Sequence, residues 1–337
     1  MNRKLDVSVV TSFDVDHFGA ARVSWPYTSF PNVEVYAFMH HCLHELFEGS
    51  GPQESALGVL AKARKDKDDP ARVARLIDQH FGQIQVAAIA TFLPEIMAPD
   101  NLDTKEAAQH ALEFLVLVAF ELRTRYRHPC TTLVLVGGSR FDGMWAGEDL
   151  AGDKVYVINR LSEEEAVSRL IRNIEPVATL AAAHNISLAV SMEPGPLYTL
   201  GDWTSLRSFC DALEVVGGAT GRAVGLNLDI AHWSFLAGIS VNMVRDHPRV
   251  RNRILHAHVS DHLRGHCSDA TPKTFHSENE FLDWVKLLVD RSKESPSPDK
   301  GILCYSGFAS CELESAYDLN TVETAYETVR GWVKSCP

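Results

Sequence analysis

Four stretches of this sequence bring a metal-binding side chain to the end of an apolar, β-branched run. Glu193 follows the apolar part of SLAVSMEPGP, where Pro194 and Gly195 then turn the chain. Asp229 ends the apolar part of VGLNLDIAH, with His232 three residues on. His258 stands in ILHAHVSDHLRGH among His256, Asp261, His262, Arg264 and His266, and Glu312 and Glu314 close GFASCELES. Three carboxylates meeting beside an imidazole would repel one another with nothing between them. A divalent cation removes that conflict, and such a mixed donor set suits Mn²⁺, Mg²⁺, Co²⁺ or Zn²⁺. The metal ligands are therefore read as Glu193, Asp229, His258 and Glu312.

These four residues can meet if the fold aims their strand ends at one place. Short β-branched runs alternate along the chain with longer stretches of helical periodicity. Strands are expected at Val7–Ser12, Val33–Tyr36, Ile84–Thr91, Thr132–Gly137, Ser187–Met192, Val224–Asp229, Ile254–Val259 and Ala309–Glu312. Helices are expected at Thr104–Tyr126, Ser162–His184, Ser205–Val216, Glu278–Ser292 and Asn320–Lys334. Parallel neighbours need a crossover connection, so this alternation predicts a parallel α/β sheet. Eight such units predict one (β/α)₈ TIM barrel domain spanning residues 1–337, whose C-terminal strand ends share a mouth. The segment Met39–Pro94 is less regular and should hold one or two helices, interrupted by the charged, solvated stretch Lys62–Asp69. His40, His41 and His44 are read as surface or packing residues, and Glu294–Lys300 as a surface loop.

Composition narrows the function classes. The 337 residues carry 44 Asp and Glu against 32 Lys and Arg, a formal charge of −12 that opposes a nucleic-acid partner. The 7 cysteines are odd in number and scattered without a CxxC pair, which predicts reduced thiols and no cysteine zinc site. No run approaches the roughly 18–20 apolar residues of a membrane span. MNRKLDVSVV lacks the long apolar stretch and cleavage site of a leader, so a cytoplasmic protein without a membrane partner is expected.

The motifs VSMEPGP, LDIAHW, HAHVSDH and GFASCELE, in that order, resemble the xylose isomerase-like TIM barrels, and the resemblance covers the C-terminal half, Ser187 to Glu312. That superfamily includes ketose 3-epimerases, inosose dehydratases, hydroxypyruvate isomerases and endonuclease IV. In the first half NVEVYA resembles the family's second strand. The resemblance implies the same fold and assigns roles residue by residue. Glu193 matches the first metal carboxylate, and Asp229 and His232 match a D-x-x-H motif whose His contacts a substrate hydroxyl. His258 matches the metal histidine, and Arg264 falls where ketose epimerases place a substrate-binding arginine. Glu312, rather than Glu314, fits the Gly-aromatic-x-x-x-Glu pattern of the last strand.

The implied chemistry is proton transfer. Glu193 and Glu312 would stand on opposite faces of a metal-chelated keto-sugar, one removing the proton α to the carbonyl and the other returning it through an enediolate. The expected protein is thus a divalent-metal-dependent isomerase or epimerase of a ketose or related keto-sugar, in a family where homodimers and homotetramers are frequent. Expulsion of a β-oxygen from the same enediolate would instead make a lyase or dehydratase, of inosose dehydratase or 3-keto-glycoside lyase type, with HLRGHCSD supplying the acid. An endonuclease IV-like phosphodiesterase would carry a His-Pro-Gly turn where this chain has Gly137–Arg140, GGSR. A sugar-binding protein without activity would not need paired glutamates around a metal.

Around this core, Trp233 and Trp145 are read as an apolar wall for a sugar ring, and His266, with His262 and Asp269, as a loop contact to substrate. His256 is read as a buried packing residue, and Asp261 as a hydrogen-bond partner that orients His258 or another ligand.

Overall fold

The computed structural model describes residues 4–11, 30–37, 69–98, 103–142, 159–262, 270–297, 301–313 and 319–336. Eight strands form its centre: β1 (Asp6–Val10), β2 (Asn32–Ala37), β3 (Gln85–Thr91), β4 (Thr132–Val136), β5 (Ser187–Ser191), β6 (Val224–Asp229), β7 (Ile254–Val259) and β8 (Phe308–Cys311). All are buried along nearly their whole length, as strands covered on both faces must be. They pair in parallel in the order β1-β8-β7-β6-β5-β4-β3-β2, and register pairs from Asp6↔Phe308 to Val9↔Cys311 close the ring. The expected (β/α)₈ barrel is therefore the observed fold. Its strand bounds match expectation to within two residues, those of β6 and β7 without any difference; the last strand ends at Cys311, which leaves Glu312 just beyond it.

Helices α1 (Pro70–Phe81), α2 (Asp103–Arg125), α3 (Glu163–Ala183), α4 (Trp203–Val216), α5 (Glu278–Lys293) and α6 (Leu319–Ser335) surround the barrel. At α1, α3 and α4 the starts are set by side chains that satisfy the first free backbone N–H groups. Asp69 Oδ1 accepts from Ala71 N at 3.0 Å ahead of α1, with Pro70 in the first turn. Ser162 and Glu165 cap each other reciprocally at α3, as Asp202 and Ser205 do at α4. Along α3 the buried residues Ala166, Val167, Leu170, Ile171, Ile174, Val177, Ala178 and Ala181 recur at spacings of three and four, one apolar stripe against the sheet. The segment expected to hold one or two helices supplies α1 and a short turn at Pro94–Met97; residues 38–68, with His40, His41, His44 and most of the charged stretch, lie outside the described residues. No described helix is long and apolar enough to cross a membrane.

Alternation along the strands divides two environments. Val7, Val9, Val33, Val35, Leu133, Leu135, Leu188, Val190, Leu226 and Leu228 point outward into the apolar layer shared with the helices. Inward-facing Val10, Tyr36, Ala90, Val134 and Ala189 form a smaller, separate cluster with Leu255 and Leu303. The interior of such a barrel is ordinarily filled by branched apolar side chains. Here Ser8, Glu34, Asn227, His256 and Ser310 occupy part of it, each with no exposed surface.

Candidate metal centre at the barrel mouth

Asp229, the last residue of β6, is 1% exposed. Its Oδ1 accepts the backbone N–H of His232 at 3.0 Å, tying it to the start of the helical turn that follows. Its Oδ2 is buried and takes no hydrogen bond. His232 is pinned in turn: its Nδ1 donates to the Met192 carbonyl at 2.9 Å and lies 3.5 Å from Asp229 Oδ2 and 3.8 Å from Glu193 Oε2.

Glu193 leaves β5 into a loop that folds back on itself. Glu193 N donates to Leu200 O at 3.1 Å, and Gly195 N to Gly201 O at 3.0 Å. The two chains approach so closely there that a Cβ on Gly201 would sit 2.0 Å from Gly195 O. Glycine is required at that point, and Glu193 is held at the mouth as a consequence.

On β7, His258 is the register partner of Asp229 on β6. Its Nδ1 lies 2.6 Å from Glu312 Oε2. Ligand atoms of Asp229, His258 and Glu312 all fall within 4.8 Å of one another, and all three side chains are buried. Glu193 flanks this group rather than joining it at that spacing, with its Oε2 3.8 Å from His232 Nδ1.

The electrostatics match a cradle for a cation. Burial, reinforced by Asp229 and Glu312, pushes the Glu193 carboxyl up to about 7 against the opposing pull of His232 and His258. Burial disfavours a charged His258, yet Glu312 and Glu34 on its two sides raise it well above the ordinary imidazole value. A buried carboxyl oxygen without a donor, such as Asp229 Oδ2, is costly, and a divalent cation is a partner that Asp229, Glu312 and the His258 imidazole can share. The donor set therefore fits a divalent metal.

Beneath these residues lies one that the sequence reading missed. Glu34, on β2, is 0% exposed and lies 2.8 Å from His256 Nε2 and 3.0 Å from His258 Nε2. Burial raises its carboxyl, but the two imidazoles outweigh that and hold it well below the usual carboxylate range. Its signal in the sequence is a single carboxylate inside the apolar run NVEVYA. His256, expected as a packing residue, is a hydrogen-bonded member of this layer: its Nδ1 lies 2.8 Å from Ser306 Oγ and its Nε2 3.0 Å from Ser310 Oγ.

Two further expectations change. Trp233 is fully buried and meets Trp284 of α5 edge to face at 6.4 Å, so it packs behind the barrel instead of lining the mouth. The indole follows a strand whose outward face is already apolar, and the nearest apolar surface is the helix layer. Asp261 does not orient His258. Its Oδ2 accepts from Phe275 N at 2.7 Å and His276 N at 3.0 Å, its Oδ1 lies 2.6 Å from His276 Nδ1, and it thereby closes the loop after β7. His262 is 1% exposed, with its ring 6.3 Å from that of His232. Arg264, His266, Asp269, Glu314 and Trp145 lie outside the described residues.

A search of curated proteins finds no match to this sequence. Among solved structures, the fold is similar to the IOLI protein with a bound zinc atom, at 12% identity and TM-score 0.61 over 97% of this chain and 96% of that one. It is also similar to a D-tagatose 3-epimerase-like protein, at 13% identity and TM-score 0.61 over 98% and 97%. D-Psicose 3-epimerase with D-tagatose from Clostridium cellulolyticum H10 follows at 10% identity and TM-score 0.58 over 98% of each chain. At such identities these likenesses show the fold. The sequence profile of the xylose isomerase-like TIM barrel matches residues 45–288, which is most of the chain, and the protein belongs to that family.

Proposed function

We propose that the protein is a divalent-metal-dependent isomerase or epimerase of a ketose or related keto-sugar. One observation carries this reading: Asp229, His258 and Glu312 gather within 4.8 Å of one another beside Glu193, a carboxyl pushed up to about 7. Two of the similar structures are sugar 3-epimerases or like them by name, which supports the substrate class. Glu193, Asp229, His258 and Glu312 would hold the cation, with Mn²⁺ expected and the zinc of the IOLI protein in keeping with a divalent ion. Bound there, the cation supplies Lewis-acid polarisation of a substrate carbonyl.

The chain's own groups move the proton. One of Glu193 and Glu312 takes the proton on the carbon α to the carbonyl, which leaves an enediolate. The other returns a proton from the opposite face, inverting that carbon or shifting the carbonyl. Proton transfer is most effective when the catalytic group titrates near the working pH. His232 holds a substrate hydroxyl; its ring cannot swing away while Nδ1 is tied to Met192 O. Arg264 and His266 are assigned to the remaining substrate oxygens, and the assembly to a homo-oligomer.

The test is to incubate the Mn²⁺-loaded protein with ketohexoses and keto-inositols in D₂O and follow the products by NMR. Deuterium at a carbon α to the carbonyl, with no loss of water, is the expected result. Loss of water or of an alkoxide would move the protein to the dehydratase and lyase class. No exchange with any of these compounds would overturn the proposal.

A further inference from the structure

The metal histidine is held from behind by a carboxylate from the far side of the barrel. Glu34 on β2 and the two histidines of β7 are separated by 222 and 224 residues in sequence, yet all three side chains meet in the closed interior. Glu34 Oε2 is 2.8 Å from His256 Nε2, and Oε1 is 3.0 Å from His258 Nε2. An ionised carboxylate can accept hydrogen bonds and cannot donate them. Both Nε2 atoms must therefore carry hydrogen.

The contact on the other side of His256 accommodates the same assignment. Phe308 N donates to Ser306 Oγ at 3.2 Å, an arrangement compatible with the Ser306 hydroxyl giving its own hydrogen to His256 Nδ1, 2.8 Å away. With Nδ1 as that acceptor, Nε2 is the donor, the tautomer that pairs with Glu34. Ser310 Oγ, 3.0 Å from His256 Nε2 and 2.7 Å from Ser8 Oγ, extends the layer to β1. With its Nε2 hydrogen committed to Glu34, His258 turns Nδ1 toward Asp229 and Glu312.

We propose that Glu34 is a positioning residue that locks His256 and His258 as Nε2–H tautomers and so presents the Nδ1 lone pair of His258 to the cation at the mouth. This rests on the metal-centre reading above and extends it to a residue that would not touch the ion. Metal-bound imidazoles are commonly fixed by such an outer acceptor, whose loss typically lowers metal affinity about 10–100-fold. A competing reading of the same distances is that Glu34, His256 and His258 hold a second ion themselves, since their ligand atoms also lie within 4.8 Å of one another. The hydrogen-bond network argues against it: Ser306 and Ser310 already engage His256, and the layer is sealed from solvent.

The substitution Glu34→Gln separates these readings. A glutamine amide accepts on one atom and donates on the other, so it can suit one Nε2–H imidazole and must force its neighbour to reverse. Zn²⁺ titration against a chromophoric chelator should give one site per chain in the parent and about 10–100-fold weaker binding in Glu34→Gln. Glu34→Asp should recover part of the loss. Long-range ¹H–¹⁵N NMR of the histidine rings, with and without Zn²⁺, should find hydrogen on Nε2 of both His256 and His258 in the parent and a reversed ring in Glu34→Gln.

A folded Glu34→Gln that binds Zn²⁺ within twofold of the parent would overturn the proposal. So would two Zn²⁺ per parent chain, one of them lost in the variant. Should Glu34→Gln not fold, the ring spectra of the parent decide alone: an Nε2 without hydrogen in either histidine refutes the lock. Should the parent bind no Zn²⁺, Mn²⁺ or Co²⁺, the metal-centre reading fails, and the spectra of the metal-free chain still judge the role of Glu34.

Discussion

Nδ1 of His258 lies 2.6 Å from Oε2 of Glu312, closer than two donor atoms stand when both bind one cation. At metal–ligand distances of about 2.0–2.2 Å, neighbouring ligand atoms are roughly 3 Å apart or more. The contact is instead that of a short hydrogen bond, whose proton lies between His258 and Glu312. Metal binding should then expel that proton. Zn²⁺ calorimetry at pH 7 in buffers of different ionisation heat should show proton release from the parent and less from Glu312→Gln. Asp229→Asn and Glu312→Gln should each weaken binding by at least about 100-fold, beyond the loss expected for an outer partner. Substoichiometric metal in protein purified without chelator, together with parent-like binding in both variants, would refute the metal centre.

A pH dependence follows from Glu193 in the metal-free protein. Its carboxyl is raised from 4.5 to about 7 by burial and by Asp229 and Glu312. The folded state holds this proton more tightly than the unfolded chain. The group therefore costs nothing below about pH 4.5, and its penalty grows to a ceiling of roughly 3 kcal/mol above about 7. About a fifth of the side chain is exposed, so the realised penalty is smaller. Thermal melts of metal-free protein should drop between pH 5 and 8, and Glu193→Gln should flatten that slope and melt higher at pH 8. His258, whose raised value also favours the folded state at low pH, is common to both proteins, so the difference between their slopes reports Glu193 together with its coupling to His258. Identical slopes in parent and variant would refute the assignment.

What the sequence made legible was whatever repeats locally. Strand β6 was expected at Val224–Asp229 and is found there because every residue in it is buried and the run ends at a polar residue. Helix α3 carries its start signal in Ser162 and Glu165 and its buried face in the stripe from Ala166 to Ala181. Glu34 was invisible to this kind of reading. Apolar periodicity treats a lone carboxylate in NVEVYA as noise, and its partners lie more than 200 residues away. Trp233 shows the opposite error. A large aromatic near a mouth residue suggested a substrate wall, but the helical turn after Asp229 directs it outward against α5.

That correction is open to experiment. Trp233→Ala should destabilise the protein by about 3–5 kcal/mol, the usual cost of emptying a buried aromatic site. Trp233→Phe, which keeps much of the packing, should melt closer to the parent and leave KM for any substrate unchanged. A KM raised tenfold in the Phe variant, with little loss of stability, would return the indole to the substrate pocket.

Gly201 offers the sharpest test of how the loop places Glu193. A methyl group at this position would sit 2.0 Å from Gly195 O, and backbone on that side cannot yield as a flexible side chain would. The turn is also fixed by Gly195 N to Gly201 O at 3.0 Å and Glu193 N to Leu200 O at 3.1 Å. Gly201→Ala must therefore open the turn and shift Glu193, while β5 and β6 keep their pairing. The expected outcome is a folded barrel with proton exchange into the sugar reduced on the order of 100-fold, as a misplacement of about 1 Å commonly costs. Zn²⁺ binding should suffer less, since Asp229, His258 and Glu312 are untouched. Equal losses of metal affinity and exchange would mean that Glu193 acts chiefly as a ligand, and parent-like exchange would mean that the turn does not position it.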